Sequence, residues 1–332
     1  MSAPRGGGAG ETLHVPGSPP RRRVVVVDAD VEQQARVAQA LRPLALDVVL
    51  RSSLRDLPVD DDYGLLIVNY DDVVGDRSTL VHDLSALRGR APLLLLSAGR
   101  CRGDFVELFG NHALTNLLAR NEHIDESELI VTTEKILRRD IFGIERYFAP
   151  GATPVSTTAI GSADKGRILD EAEAYAKRLG IRPRFVELFC AVTDELVTNA
   201  LFNAPVDADG RRRYAHLSRA DDVVLAAGER VEVKLCCDGR RLGVAAIDPF
   251  GSITQERVLH YLAKCFRKGA DQMDRKQGGA GLGLYYAFES LSHFVVNIRP
   301  GRQTEMIGLI DIHGSYRDFV GKSKSFNMFV SD

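Results

Sequence analysis

Two patterns of apolar and polar positions follow one another along the chain. In the first third, apolar residues come as short unbroken runs, VVVVDAD at 24–30, YGLLIVN at 63–69 and APLLLLSA at 91–98, and VEQQARVAQAL after the first run has helical spacing. Continuous apolar runs alternating with helical segments predict a parallel, doubly wound sheet with functional positions at the C-terminal strand ends. Those ends carry Asp28, Asp30, Asn69 and Ser97. Beyond residue 155 the pattern changes. SADKGRILDEAEAYAKRLG predicts a helix closed by Gly180, with Pro183 just beyond. Phe185, Leu188, Phe189, Val192 and Leu196 then recur at three- and four-residue intervals and give a second helix its core face. RVEVKLCCDGRRLGVAAID predicts a hairpin turning at Asp238 and Gly239, with Asp248 at the end of its second strand, and TEMIGLIDI is a further apolar strand.

Between these parts, RRDIFGIERYFAPGATPV at 138–155 is too apolar for a free tether and is expected to pack on one part or both, with APGATP marking the break. The expected organisation is a disordered arm over 1–21, an α/β domain over 22–140, a linker over 141–155 and a second α/β domain over 156–332. A length of 332 residues suits about two domains. The stretch from Pro205 to Arg230 is long for a loop, and a surface excursion or a site-facing insert would account for it.

Charge and composition narrow the classes. A net charge of −2 gives no reason to expect nucleic acid as a main partner, and the RRR triplets at 21–23 and 211–213 read as solvated surface. Five cysteines without zinc-type spacing point to reduced thiols, with Cys236 and Cys237 facing opposite sides of a strand. No apolar run approaches the roughly 20 residues that span a bilayer, and the first 20 residues lack a signal-peptide core. A cytoplasmic protein is expected, with no membrane partner.

The chemistry concentrates in three segments. Glu195 and Asn199 form an i, i+4 pair in AVTDELVTNALFNA, presenting a carboxylate and a carboxamide from one side of a helix. That pair suits a water to be activated and a hard cation held through oxygen. AAIDPFG brings Asp248, and QGGAGLGLYYA places glycines at 278, 279, 281 and 283 before a helix-prone run, where bare amides can bind phosphate. The ligand expected from this set is ATP with Mg2+.

In this order the segments resemble the GHKL ATPase superfamily of gyrase, histidine kinases and mismatch-repair proteins, and within it the anti-sigma-factor serine kinases. The resemblance covers roughly residues 152–313 and implies a two-layer α/β sandwich of the Bergerat type. It implies Glu195 as general base, Asn199 as magnesium ligand, Asp248 as acceptor for the adenine amino group, and Gly279, Gly281 and Gly283 around the phosphates. Thr304 matches a later threonine of the family. Phe250 and Ser252 stand where the family has two glycines, and Gly251 lies one place out of register.

Residues 22–140 resemble a response-regulator receiver, a flavodoxin-like fold, with its chemistry lost. Asn69 stands at the phosphoacceptor position, Ala29 at the second acid unless Asp30 substitutes for it, and Arg120 at the lysine. The combined resemblance implies a signalling protein that binds Mg-ATP and phosphorylates a serine or threonine of a regulatory partner, or sequesters that partner, under control of a pseudo-receiver able to dimerise or dock. The alternatives are a non-catalytic, ATP-gated interaction module and a simple ATPase. Residues 138–183 contain no histidine, so autophosphorylation of the sensor-kinase type is not expected.

Overall fold

A computed structural model of the chain describes residues 23–57, 63–71, 82–84, 91–98, 106, 109–110, 114–121, 123–214, 216–266 and 287–331. Its described strands form one mixed α/β sheet of eleven strands in the order β2-β1-β3-β4-β5-β11-β9-β10-β8-β7-β6. The first five are β1 Arg23–Val27, β2 Asp47–Arg51, β3 Leu65–Asn69, β4 Leu93–Ser97 and β5 Asn116–Ala119. They pair in parallel throughout. The remaining strands are β6 Val155–Ala159, β7 Val231–Cys237, β8 Arg241–Asp248, β9 His293–Arg299, β10 Gln303–Asp311 and β11 Ser325–Val330. Among these, β9, β10, β8, β7 and β6 form an antiparallel ladder.

The residues account for the elements. Every residue of β3 and β4 is buried, with Leu41 and Leu129 packed on one face and Leu84 and Phe109 on the other, so neither face is left to solvent for a polar alternation. β2, β6, β9 and β11 are strands that the sequence pattern does not single out; β2 lies at the sheet edge, half-buried, and its DVVLR mixes charged with apolar positions. Helix α1, Val31–Leu41, is capped by Asp30, whose carboxylate accepts from the amides of Glu32 and Gln33. α2, Glu126–Arg138, is capped by Asp125 and ends on Arg139 in the left-handed region. α3, Lys165–Arg178, and α4, Pro183–Thr198, pack together on one face of the antiparallel half. α5, Gln255–Phe266, and the short α6, Tyr316–Gly321, complete the helices used below.

The parallel and antiparallel parts meet through β11, which lies antiparallel beside β5 and parallel beside β9. On one face Phe326 is fully buried, edge-on to Phe109 at 5.8 Å and tilted against Phe294 at 6.2 Å, so apolar packing runs unbroken across the seam. The other face is polar. Arg241 joins Glu128 at 2.9 Å and also binds Asp125, while Asn327 accepts from Thr132 at 3.1 Å and donates to Asn116 at 3.2 Å. Segment 141–148 is no tether. Ile141, Ile144, Tyr147 and Phe148 are buried against Val295, Ile307 and Leu309 beneath the antiparallel half. Next to them Lys135 is 1% exposed, with its ammonium 4.5 Å from the Tyr147 ring centre and no hydrogen-bond partner. Burial pushes its pKa down to about 7 and raises that of nearby Glu305.

Candidate functional site

The site is built at the end of α4. Pro183 opens the helix at a position where its missing amide is harmless, and Phe185, Phe189, Val192 and Leu196 anchor it to the sheet. Glu195 and Asn199 follow on the adjoining stripe. The Asn199 amide group donates to the Glu195 carbonyl and carboxylate, each at 2.8 Å. At Asn199–Asn203 the helix widens into a π turn, closed by the Ala204 amide on the Asn199 carbonyl at 3.0 Å. Such single wide turns are frequent at functional sites, where they rotate the following side chains out of the α-helical phase. Here Asn203 comes onto the same side as Asn199 and donates to its oxygen at 2.8 Å.

Opposite stands Asp248, 3% exposed. One of its oxygens accepts from the amides of Phe250 at 2.9 Å and Gly251 at 3.3 Å. Burial, the dominant influence, raises its pKa to about 6 against the opposing pull of those amides and of Thr304. Thr304 faces Asp248 directly in the β8–β10 ladder, and its buried hydroxyl satisfies no full hydrogen-bond geometry. Gly251 serves the backbone. Its φ is +57°, and a Cβ there would sit 2.1 Å from the Arg299 carbonyl, so no other residue fits under the β9–β10 turn.

Between the two groups lies a narrow cleft whose cavity volume is about 30 Å3, so a nucleotide would have to open it further. Asn199, Asn203, Asp248 and Ser252 supply its polar wall, and Leu196, Ala246, Ile253 and Met306 its apolar one. Ser252 ties the floor together by donating to the Ala204 carbonyl at 2.6 Å. Glu195 and Thr304 do not line the cleft; Glu195 is joined to it by its hydrogen bond from Asn199, and Thr304 lies opposite Asp248 in the ladder. Gly279, Gly281 and Gly283 lie outside the described residues.

The insert at 205–230 contributes what the sequence reading missed. Arg212 lines the cleft together with Arg257, and Arg213 packs on the Phe250 ring at 5.3 Å while pairing with Glu229 at 2.5 Å. Arg219 binds both oxygens of Glu195, at 3.0 and 3.2 Å. The triplet 211–213 is thus not merely solvated surface. A clue was available in the concentration of arginine within a stretch following the Glu-Asn helix, although nothing in the spacing says where those side chains point.

The polar residues of the parallel half gather at the C-terminal ends of neighbouring strands and bind one another. Asn69 donates to one Asp28 oxygen at 2.7 Å, and the Asp30 amide donates to the other at 2.9 Å. Asp71 accepts from the Ser97 hydroxyl at 3.0 Å and from the Ala98 amide. Asp30 itself is engaged in capping α1, so its carboxylate does not take the place left by Ala29. Arg120 follows β5, its amide bonded to the Ser97 carbonyl at 2.8 Å.

No family model and no curated protein matches this chain. Among solved structures, homoserine dehydrogenase of S. aureus aligns over 93% of this chain and 98% of its own at 8% identity and a TM-score of 0.19, a likeness too slight to carry any argument. Among the described residues no helix is long and apolar enough to cross a membrane.

Proposed function

We propose that the cleft binds a nucleotide, ATP with Mg2+, and that the chain is a cytoplasmic signalling protein with a Bergerat-type ATP-binding unit and a receiver-like unit that does not accept phosphate. The observation that carries the reading is the convergence of Asn199 and Asp248 on one cleft, with Thr304 in register behind Asp248. A buried carboxylate at the mouth of an apolar slot suits the exocyclic amino group of adenine, which donates hydrogen bonds. Leu196, Ala246, Ile253 and Met306 offer the faces for its ring. The donor set also suits a small hard cation. Asn199 presents an amide oxygen with one lone pair taken by Asn203, and among the described residues no cluster of three His, Cys, Asp or Glu competes for a metal. A cation held by so few protein oxygens fits magnesium, which keeps waters and substrate phosphates as its other ligands. Bound there, it would neutralise phosphate charge.

In the catalytic reading, Glu195 takes the proton of an attacking hydroxyl as that oxygen bonds to the terminal phosphorus and the bond to the ADP oxygen breaks. The acceptor is a serine or threonine of a regulatory partner. The second reading is an ATP-gated interaction module without transfer, favoured by the engagement of Glu195 with Arg219. The receiver-like reading rests on the strand order 2-1-3-4-5 of the parallel half, the flavodoxin-like order. Calorimetry with ATP in magnesium tests the binding. Labelled ATP with and without cell lysate then separates label on a partner, free phosphate and intact nucleotide.

A further inference from the structure

Resting on the nucleotide reading of the cleft, we propose that Arg219 is a positioning residue that restrains Glu195, so that the resting site holds nucleotide but turns it over slowly until the middle of segment 205–230 moves away. A general base must turn a lone pair toward the hydroxyl whose proton it takes. Both oxygens of Glu195 are instead turned to the Arg219 guanidinium, at 3.0 and 3.2 Å, and one of them also accepts from Asn199 at 2.8 Å. The bidentate geometry fixes the carboxylate plane as well as its charge.

The segment that carries Arg219 is built to move. Its ends are pinned: the Tyr214 hydroxyl donates to the Val224 carbonyl at 2.6 Å, Val223 and Leu225 are buried, and the Ser162 and Leu225 amides bond across to Val223 and Ile160 at 2.8 and 2.9 Å. Between these anchors, residues 216–222 are exposed apart from the half-buried Leu217. Among the described contacts of that middle, the Arg219–Glu195 pair is the one ionic tie to the site. The Arg219 side chain is 44% exposed against 11% for Glu195, so the tie is made from the solvent side and is the weak, reversible kind. The restraint therefore sits where a docking partner can reach it without disturbing the core.

The test uses the full chain and the variants Arg219→Ala, Arg219→Lys, Glu195→Gln and the double variant Arg219→Ala/Glu195→Gln. Without nucleotide, amide hydrogen exchange over 216–222 is expected to quicken in Arg219→Ala and in Glu195→Gln alike. ATP affinity by calorimetry is expected to stay within about threefold of wild type in Arg219→Ala, since the ion pair restrains turnover rather than binding. Its phosphate release is expected to rise about tenfold or more, less in Arg219→Lys, and to vanish in the double variant, because the gain runs through the base. Unchanged exchange overturns the restraint, as does a turnover no higher than wild type in an Arg219→Ala protein that binds ATP. Absence of ATP binding in every variant overturns the nucleotide reading and this proposal with it, a result distinct from failure of the restraint alone.

Discussion

The two polar clusters of this molecule make opposite use of similar residues. Asp28 is 1% exposed and Asp248 3%, each at or just past the C-terminal end of a strand and each accepting backbone amides. Asp28 also receives a side-chain donor, Asn69, and its neighbour Asp71 is held by Ser97 and Ala98. Among the described residues, the bonds of that cluster are drawn from its own strand ends. Asp248 instead faces the cleft across from Asn199, and burial raises its pKa to about 6 despite the amides and the Thr304 hydroxyl that pull it down. The difference teaches that a buried carboxylate points to a ligand when its partners leave one side toward space, and to architecture when they are drawn from its own surroundings.

The largest test of that contrast is chemical. In the Arg219→Ala background, Glu195→Ala is expected to retain ATP and lose on the order of a hundred- to ten-thousand-fold in turnover, read by phosphate release. Equal rates with and without Glu195 would leave the cleft a binding module. Next comes Asp248→Asn, expected to weaken ATP by about tenfold or more while sparing inorganic triphosphate. The wild-type affinity has a pH signature. Below about 6 the Asp248 carboxyl holds its proton and accepts poorly, so calorimetry should find binding strengthening as pH rises through 6, and the Asp248→Asn substitution should abolish that slope. Asn69→Asp sharpens the other side of the comparison. It sets a second carboxylate beside Asp28 in place of a 2.7 Å hydrogen bond, and should cost about 1–3 kcal/mol in denaturant unfolding. Acetyl phosphate followed by intact mass measurement should add nothing to wild type or to this variant. A phosphate mapping to residues 69–71 would show that the cluster does accept a ligand.

A last test falls at the seam between the regions. Lys135 is neutralised readily in the fold, with a pKa near 7, but stays protonated to about 10.5 when unfolded. The unfolded chain therefore binds more protons between those values, and the stability contributed at this position rises with pH across that window. Lys135→Met should stabilise the protein at pH 7 by about 1–3 kcal/mol, and the gain should shrink toward pH 10. A loss of stability would mean that the ammonium and Glu305 hold each other more strongly than burial opposes them.

Much of the frame was legible in the sequence. The apolar runs at 24–27, 65–69 and 93–97 are strands, the spacing of Phe185, Phe189, Val192 and Leu196 gives the helix of the site, and Asp238-Gly239 turns the hairpin that ends at Asp248. These features rest on periodicity and turn chemistry, which are local. The π turn at Asn199–Asn203 was not legible, since a one-residue widening leaves the apolar spacing before it unchanged. Nor was the reach of Arg219, which depends on how an insert folds back over 24 residues of chain. Asp30 misled for a related reason. A carboxylate following a strand serves equally as a strand-end ligand and as the cap of the next helix, and only the backbone decides.

The strand β11 sets an order of assembly. Its Ser325 hydroxyl accepts from the Ala119 amide across 206 positions of sequence. During synthesis the parallel half can assemble long before that partner exists, with the β5 edge still open to any strand that reaches it. Sheets closed by such distant pairings form slowly, and open edges recruit other chains. Until residue 330 has been made, a parallel half already folded would carry a free sheet edge. A crowded cell would place that stage in the care of whatever holds unfinished chains apart.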